Sequence, residues 1–204
     1  MFFATCPAHS GNVRSNRTET KANDWKGRDS MLHNADIHYE DFFRTATGNT
    51  PFPYQKRLAE TPMSKWPDLL EIPTGLGKTA AVVLAWIFRR FPGDPDAPRR
   101  LVFTLPTRVL VEQTADSIEE WIRNSVPLIH AAPGLPTVHR LMGGDIDETW
   151  ETTPERSAVL VGTQDQLLSR ALCRGYAMSR YKWPVHFGLL NNDCLWVLDE
   201  IQLM

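Results

Sequence analysis

The sequence predicts an α/β fold with a mostly parallel sheet covered by helices on both faces. Three observations carry that prediction. Short apolar runs alternate with stretches of helical period along residues 35–204. The runs are near-continuously apolar, the pattern of strands buried on both sides. Their C-terminal ends carry the glycines, hydroxyls and acids, at the edge where ligands of such sheets gather.

Taken in order, residues 35–63 open with a short helical pattern around Tyr39, Phe42 and Phe43. Gly48-Asn49 and the prolines Pro51 and Pro53 break it, and a second short helix starts near Tyr54. "DLLEI" (68–72) is a short buried strand. After a glycine-rich turn, "KTAAVVLAWIFRRF" (78–91) is a helix of at least three turns, and 92–100 is a proline-punctuated loop. "LVFTL" (101–105) is a strand of β-branched and aromatic residues. Residues 107–126 place Val111, Thr114/Ala115, Ile118 and Trp121/Ile122 at helical spacing. "TVHRLMGG" (137–144) is a strand ending in two glycines, and "AVLVGT" (158–163) is another. Residues 164–175 form a helix that Gly175 can cap, and "CLWVLDE" (194–200) is a last strand running into two carboxylates. There is no internal repeat.

At 204 residues and 42% hydrophobic, the chain can bury a substantial core. Its formal net charge of −2 gives no overall pull toward nucleic acid, although a local basic face remains open. Cys6, Cys173 and Cys194 make neither a paired motif nor a metal-ligand spacing, which fits a reduced, cytoplasmic setting. No run reaches the roughly 18 apolar residues of a membrane span. Residues 1–34 start apolar but become polar and turn-rich, so they are expected to be a disordered leader, with Met31 an alternative start.

The glycine-rich turn carries the chemistry. The phosphate-loop pattern is G-x-x-x-x-G-K-[ST]. "IPTGLGKT" (72–79) supplies Gly77, Lys78 and Thr79, with Ile72 where the first glycine belongs. Gly75 and Gly77 still permit a tight turn from Thr74 onward. Successive N–H groups and the N-terminal end of the following helix then face an anion. Lys78 would pair with the β- and γ-phosphates of ATP, and the Thr79 hydroxyl would bind Mg²⁺. At "LWVLDEIQ", Asp199 is placed to hold the Mg²⁺ and Glu200 to orient or deprotonate the attacking water.

Further along, "TLPTRVLVEQ" (104–113) sets Thr107 and Arg108 at the end of a strand and the start of a helix, a combination suited to phosphate. It resembles motif Ia of superfamily 2 helicases. "FPYQKR" (52–57) looks like a Q-motif element, with Gln55 reading the adenine edge. "MGGD" (142–145) and "VGTQDQLL" (161–168) look like the GG and motif Ib elements, with Gly143, Gly144 and Thr163 toward nucleic acid. The order Q, I, Ia, GG, Ib, II is the stronger signal.

Residues 36–204 therefore resemble the first RecA-like domain of a superfamily 2 helicase, in particular the helicase–nuclease of type I CRISPR systems, type I-G (I-U) branch. Residues 163–204, ending "DEIQLM", carry that likeness. Motif II of DEAD-box proteins reads D-E-A-D, whereas Ile201 and Gln202 stand here. The resemblance implies ATP-driven movement on single-stranded DNA and recruitment by an RNA-guided surveillance complex. A different superfamily 2 translocase, an RNA helicase and an inert nucleic-acid-binding fragment stay open as alternatives. "HNADIH" (33–38) offers His33, Asp36 and His38 but no partner cluster for a nuclease metal site.

The chain stops just after motif II, so the domain is expected to be C-terminally incomplete. A second RecA-like domain and an HD nuclease would lie on a separately encoded remainder. Leu198, Ile201 and Leu203 are then expected near an uncovered edge or face. Trp86, Trp121 and Trp196 fall on apolar faces, while Trp66, Trp150 and Trp183 sit in loops, where stacking on bases is an alternative to burial.

Overall fold

A computed structural model describes residues 1–6, 37–91, 94, 96–129, 135–143, 145–146, 149–176 and 178–203. Its strands are β1 (Phe2–Cys6), β2 (Arg100–Leu105), β3 (Thr137–Met142), β4 (Asp145–Ile146), β5 (Ala158–Thr163) and β6 (Cys194–Leu198). The helices are α1 (Tyr39–Thr47), α2 (Pro53–Glu60), α3 (Lys78–Arg90), α4 (Arg108–Ser125), α5 (Gln164–Ala171) and α6 (Trp183–Leu190). The strands form one sheet in the order β1-β6-β2-β5-β3-β4. The four inner strands run parallel, in pairs β6–β2, β2–β5 and β5–β3. Both outer strands, β1 and β4, are antiparallel.

Alternate residues of these strands go to opposite faces. Leu101, Phe103, Val159, Val161 and Val197 join the core formed with α3 and α4. Val102, Leu160, Cys194 and Trp196 join a second core with Leu167, Ala171, Leu190 and Trp150. Helices thus cover both faces, as the apolar runs require. Helix α3 is the most deeply set, with every residue from Ala80 to Ile87 buried. Its Trp86 indole is satisfied by donating to Pro98 O at 2.8 Å.

Three expectations are corrected. Residues 1–6 are not part of a disordered leader. β1 pairs with β6 over its whole length, from Phe2↔Leu198 to Cys6↔Cys194. A five-residue strand with two phenylalanines is easily masked by the polar residues after it. The rest of 1–34 lies outside the described residues. For the same reason β6 has no uncovered edge, although Leu203 is exposed. Segment 68–72 is not a buried strand. It makes a single bridge, Phe2↔Leu69, and Leu69 is exposed, because the segment pairs on one side only. Trp66 and Trp150 are buried, as their reading as core residues requires. Trp183 is half-buried, with the Arg180 guanidinium 5.8 Å above its ring.

Candidate functional site

The parallel strands deliver the predicted residues to one edge. Asp199 and Glu200 follow β6, and Thr107 and Arg108 follow β2. Thr163 ends β5, opposite Leu105, and Gly143 follows β3. Gly144, His33 and Asp36 lie outside the described residues.

The phosphate loop joins segment 68–72 to α3. Gly75 and Gly77 have φ of 83° and 72°, the left-handed region that a side chain disfavours. Gly77 is the N-cap of α3, and Lys78 and Thr79 are its first two residues. Thr74 and Gly75 are exposed, so the loop's approach to a phosphate is open.

Lys78 Nζ lies 3.9 Å from Glu200 Oε1. The P-loop cation and the motif II acid, far apart in sequence, thus meet across the sheet edge. Glu200 is a non-glycine residue with φ 51°, a conformation held by its surroundings. Gln202 Nε2 donates to its other oxygen, Oε2. Asp199 is buried; its N–H donates to Thr104 O at 3.1 Å, and its Oδ1 accepts from Glu200 N–H at 3.0 Å. Burial pushes the Asp199 carboxyl above the usual range, against the pull of the Glu200 N–H and of Lys78. A buried carboxylate with an unfavourable charge beside a phosphate-binding cation is suited to a divalent cation arriving with ATP. Among the described residues no group of three or more His, Cys, Asp or Glu could hold a metal alone. Asp199 and the Thr79 hydroxyl, at the start of α3, are the oxygen donors here that would fit a Mg²⁺.

Gln55 sits behind the loop, fully buried. Its Nε2 donates to Gly77 O at 3.0 Å, and its Oε1 accepts from Phe52 N–H at 2.8 Å. Here Gln55 braces the loop and caps α2. Tyr54, which sequence reasoning missed, donates its hydroxyl to Leu76 O at 2.6 Å. Its signal was its place one residue before Gln55, on the same turn of α2.

Thr107 caps α4, its Oγ1 accepting from Leu110 N–H at 3.4 Å, and Arg108 is exposed. A Cβ on Gly143 would meet Arg108 Nη2 at 2.7 Å, so the Ia and GG elements adjoin. Thr163 stands at the N-cap of α5, half-buried and without a side-chain cap bond.

This edge gathers a lysine, two carboxylates and hydroxyl groups at the strand ends of a mostly parallel sheet, the architecture of a RecA-like helicase domain. Residues 52–204 match the family "DEAD/DEAH box helicase", and the chain belongs to that family. It is also similar to the "Probable ATP-dependent RNA helicase YfmL" of Bacillus subtilis (strain 168), at 24% identity over 152 residues. That match covers 74% of this chain and 38% of the relative, so the chain spans well under half of that protein's length. The coarse expectation, an ATP-dependent helicase domain of superfamily 2, is borne out.

Proposed function

We propose that this chain is the first half of an ATP-driven translocase on single-stranded DNA, of the kind that works with an RNA-guided CRISPR surveillance complex in the cytoplasm. The observation that carries the motor reading is the meeting of Lys78 with Glu200, beside buried Asp199, at the edge that also holds Thr107, Arg108 and Thr163. Bound Mg²⁺ would supply charge neutralisation at the phosphates, with Thr79 and Asp199 as its protein-side partners. Lys78 holds the phosphate tail, Glu200 orients or deprotonates water, and the loop N–H groups fix the β-phosphate. Gln55, buried and bonded to Gly77 O and Phe52 N–H, serves this site by bracing the phosphate loop and not by presenting its amide to an adenine edge. A second RecA-like half, carried by the rest of the protein or by a separate chain together with an HD nuclease, would close the open side of the site.

The DNA and CRISPR assignment rests on the run 163–204 and on Ile201 and Gln202 in place of the DEAD-box residues. An RNA helicase is the second reading, favoured by the name of the Bacillus subtilis relative. ATPase assays of the completed protein separate them. Stimulation by single-stranded DNA but not by RNA is expected, and the reverse would overturn the DNA reading. Lys78→Ala should remove the turnover in either case.

A further inference from the structure

Strand β1 hydrogen-bonds on both of its edges. One edge ladders with β6. On the other edge, Phe3 N–H donates to Asp68 O at 2.9 Å, and Leu70 N–H donates to Met1 O at 2.9 Å. Among the described residues, the backbone hydrogen bonds of 68–72 all run to Phe3 of β1 and to Met1 just before it. The backbone of the segment that leads into the phosphate loop is thus tied to the sheet, among the described residues, at the Met1–Phe3 end of β1. The far end of the loop is tied by α2, through Tyr54 on Leu76 O and Gln55 on Gly77 O.

The two ties are themselves connected. The buried Phe3 ring packs edge-on against Trp66, with centroids 5.8 Å apart. The Trp66 indole donates to Thr61 O at 3.1 Å, at the C-cap of α2. Met1, Phe2, Leu69, Ile72 and Lys78 line one shared cleft with Ile201. Between the ties, residues 73–77 are exposed. A loop anchored at both ends loses less conformational freedom when it closes on a phosphate.

We propose that β1 is a positioning element of the ATP site: it fixes segment 68–72 against β6, and so sets where the phosphate loop and Lys78 stand relative to Asp199 and Glu200. Residues 1–6 then tune nucleotide affinity. The inference rests on the ATP reading of the loop.

Hydrogen exchange on the full-length protein needs no variant and no nucleotide. The Leu70 amide should be protected like the amides of β6. The bond itself is isolated by comparing Phe3→Pro with Phe3→Ala. Both lose the ring, but only the first loses the N–H that reaches Asp68. Phe3→Pro is expected to raise the Kd for a fluorescent ATP analogue roughly tenfold over Phe3→Ala, well below the melting temperature. Phe3→Leu should restore most of the affinity lost in Phe3→Ala. A merely structural strand would shift the melting temperature and leave Kd alone, and that result would overturn the proposal. An unprotected Leu70 amide would overturn it even if no variant folds. A protected Leu70 amide in a wild-type chain that binds no nucleotide would instead overturn the ATP reading, and this inference with it.

Discussion

The guanidinium of Arg108 rests so close to the Cα of Gly143 that a methyl group there would come within 2.7 Å of Nη2. The clashing atom is the free end of an exposed, flexible side chain, so the arginine and not the backbone would yield. Gly143→Ala should therefore leave stability within about 0.5 kcal/mol of wild type while displacing the guanidinium from its seat. If Arg108 touches a phosphate, single-stranded nucleic acid should bind more weakly, and Arg108→Ala should lower the salt slope by about one contact. Binding titrations across a salt series check this; an unchanged slope would make Arg108 a surface residue.

Gly162 presents the opposite case. A Cβ there would fall 2.6 Å from Leu141 O and 2.9 Å from Leu167 Cγ, between paired strands β5 and β3 and helix α5. Neither the backbone nor the core can move away cheaply. Gly162→Ala is expected to destabilise by about 1–3 kcal/mol through overpacking, seen as a lower thermal midpoint. A midpoint equal to wild type would show that α5 shifts to accommodate it.

The contrast between these two glycines marks what the sequence made legible. Strands β2, β5 and β6 and helix α3 could be read because their apolar runs are buried almost throughout, whereas β3 buries His139 and leaves Val138 half-buried. The ends of those strands could be read for the same reason, so Lys78, Thr107, Arg108, Thr163, Asp199 and Glu200 are found on one edge. Partnership between strands is not in the pattern. That β1 joins β6, and that 68–72 bonds to Met1 and Phe3, depends on contacts between distant segments. Helix α6 escaped because "WPVHFGLL" has no polar face and contains Gly188, so no helical period shows. Gln55 could be placed near the nucleotide by motif, but its bonds to Gly77 O and Phe52 N–H could not.

Lys78 and Glu200 are partly exposed and 3.9 Å apart, a separation at which the pair adds little to stability. Lys78→Ala should therefore fold, with a stability within about 1 kcal/mol of wild type. Its effect should appear at the phosphates, where a fixed positive charge is lost. ATP turnover is expected to disappear, while the salt slope for nucleic acid stays the same. A circular dichroism melt and a phosphate-release assay check both halves. Retained turnover would remove Lys78 from the catalytic role.

Asp199 offers a test in which stability and function oppose each other. Burial raises its pKa in the folded chain, so the ionised form is disfavoured there relative to the unfolded chain. A group shifted this way contributes most to stability below its unfolded pKa of about 3.9. That contribution is lost as the pH rises through the higher folded value. At pH 7, without nucleotide, the charged carboxylate therefore costs stability. Asp199→Asn keeps the shape and still accepts the Glu200 N–H through Oδ1, but removes the charge. The variant should melt higher than wild type at pH 7, and the advantage should shrink as the pH falls toward 4. Mg-ATP should stabilise wild type and not the variant, because the buried charge is what a divalent cation neutralises. Melts at both pH values, with and without Mg-ATP, separate these effects. A variant that melts lower than wild type at pH 7 without nucleotide would show that Asp199 is held by favourable contacts and not by a site awaiting a cation.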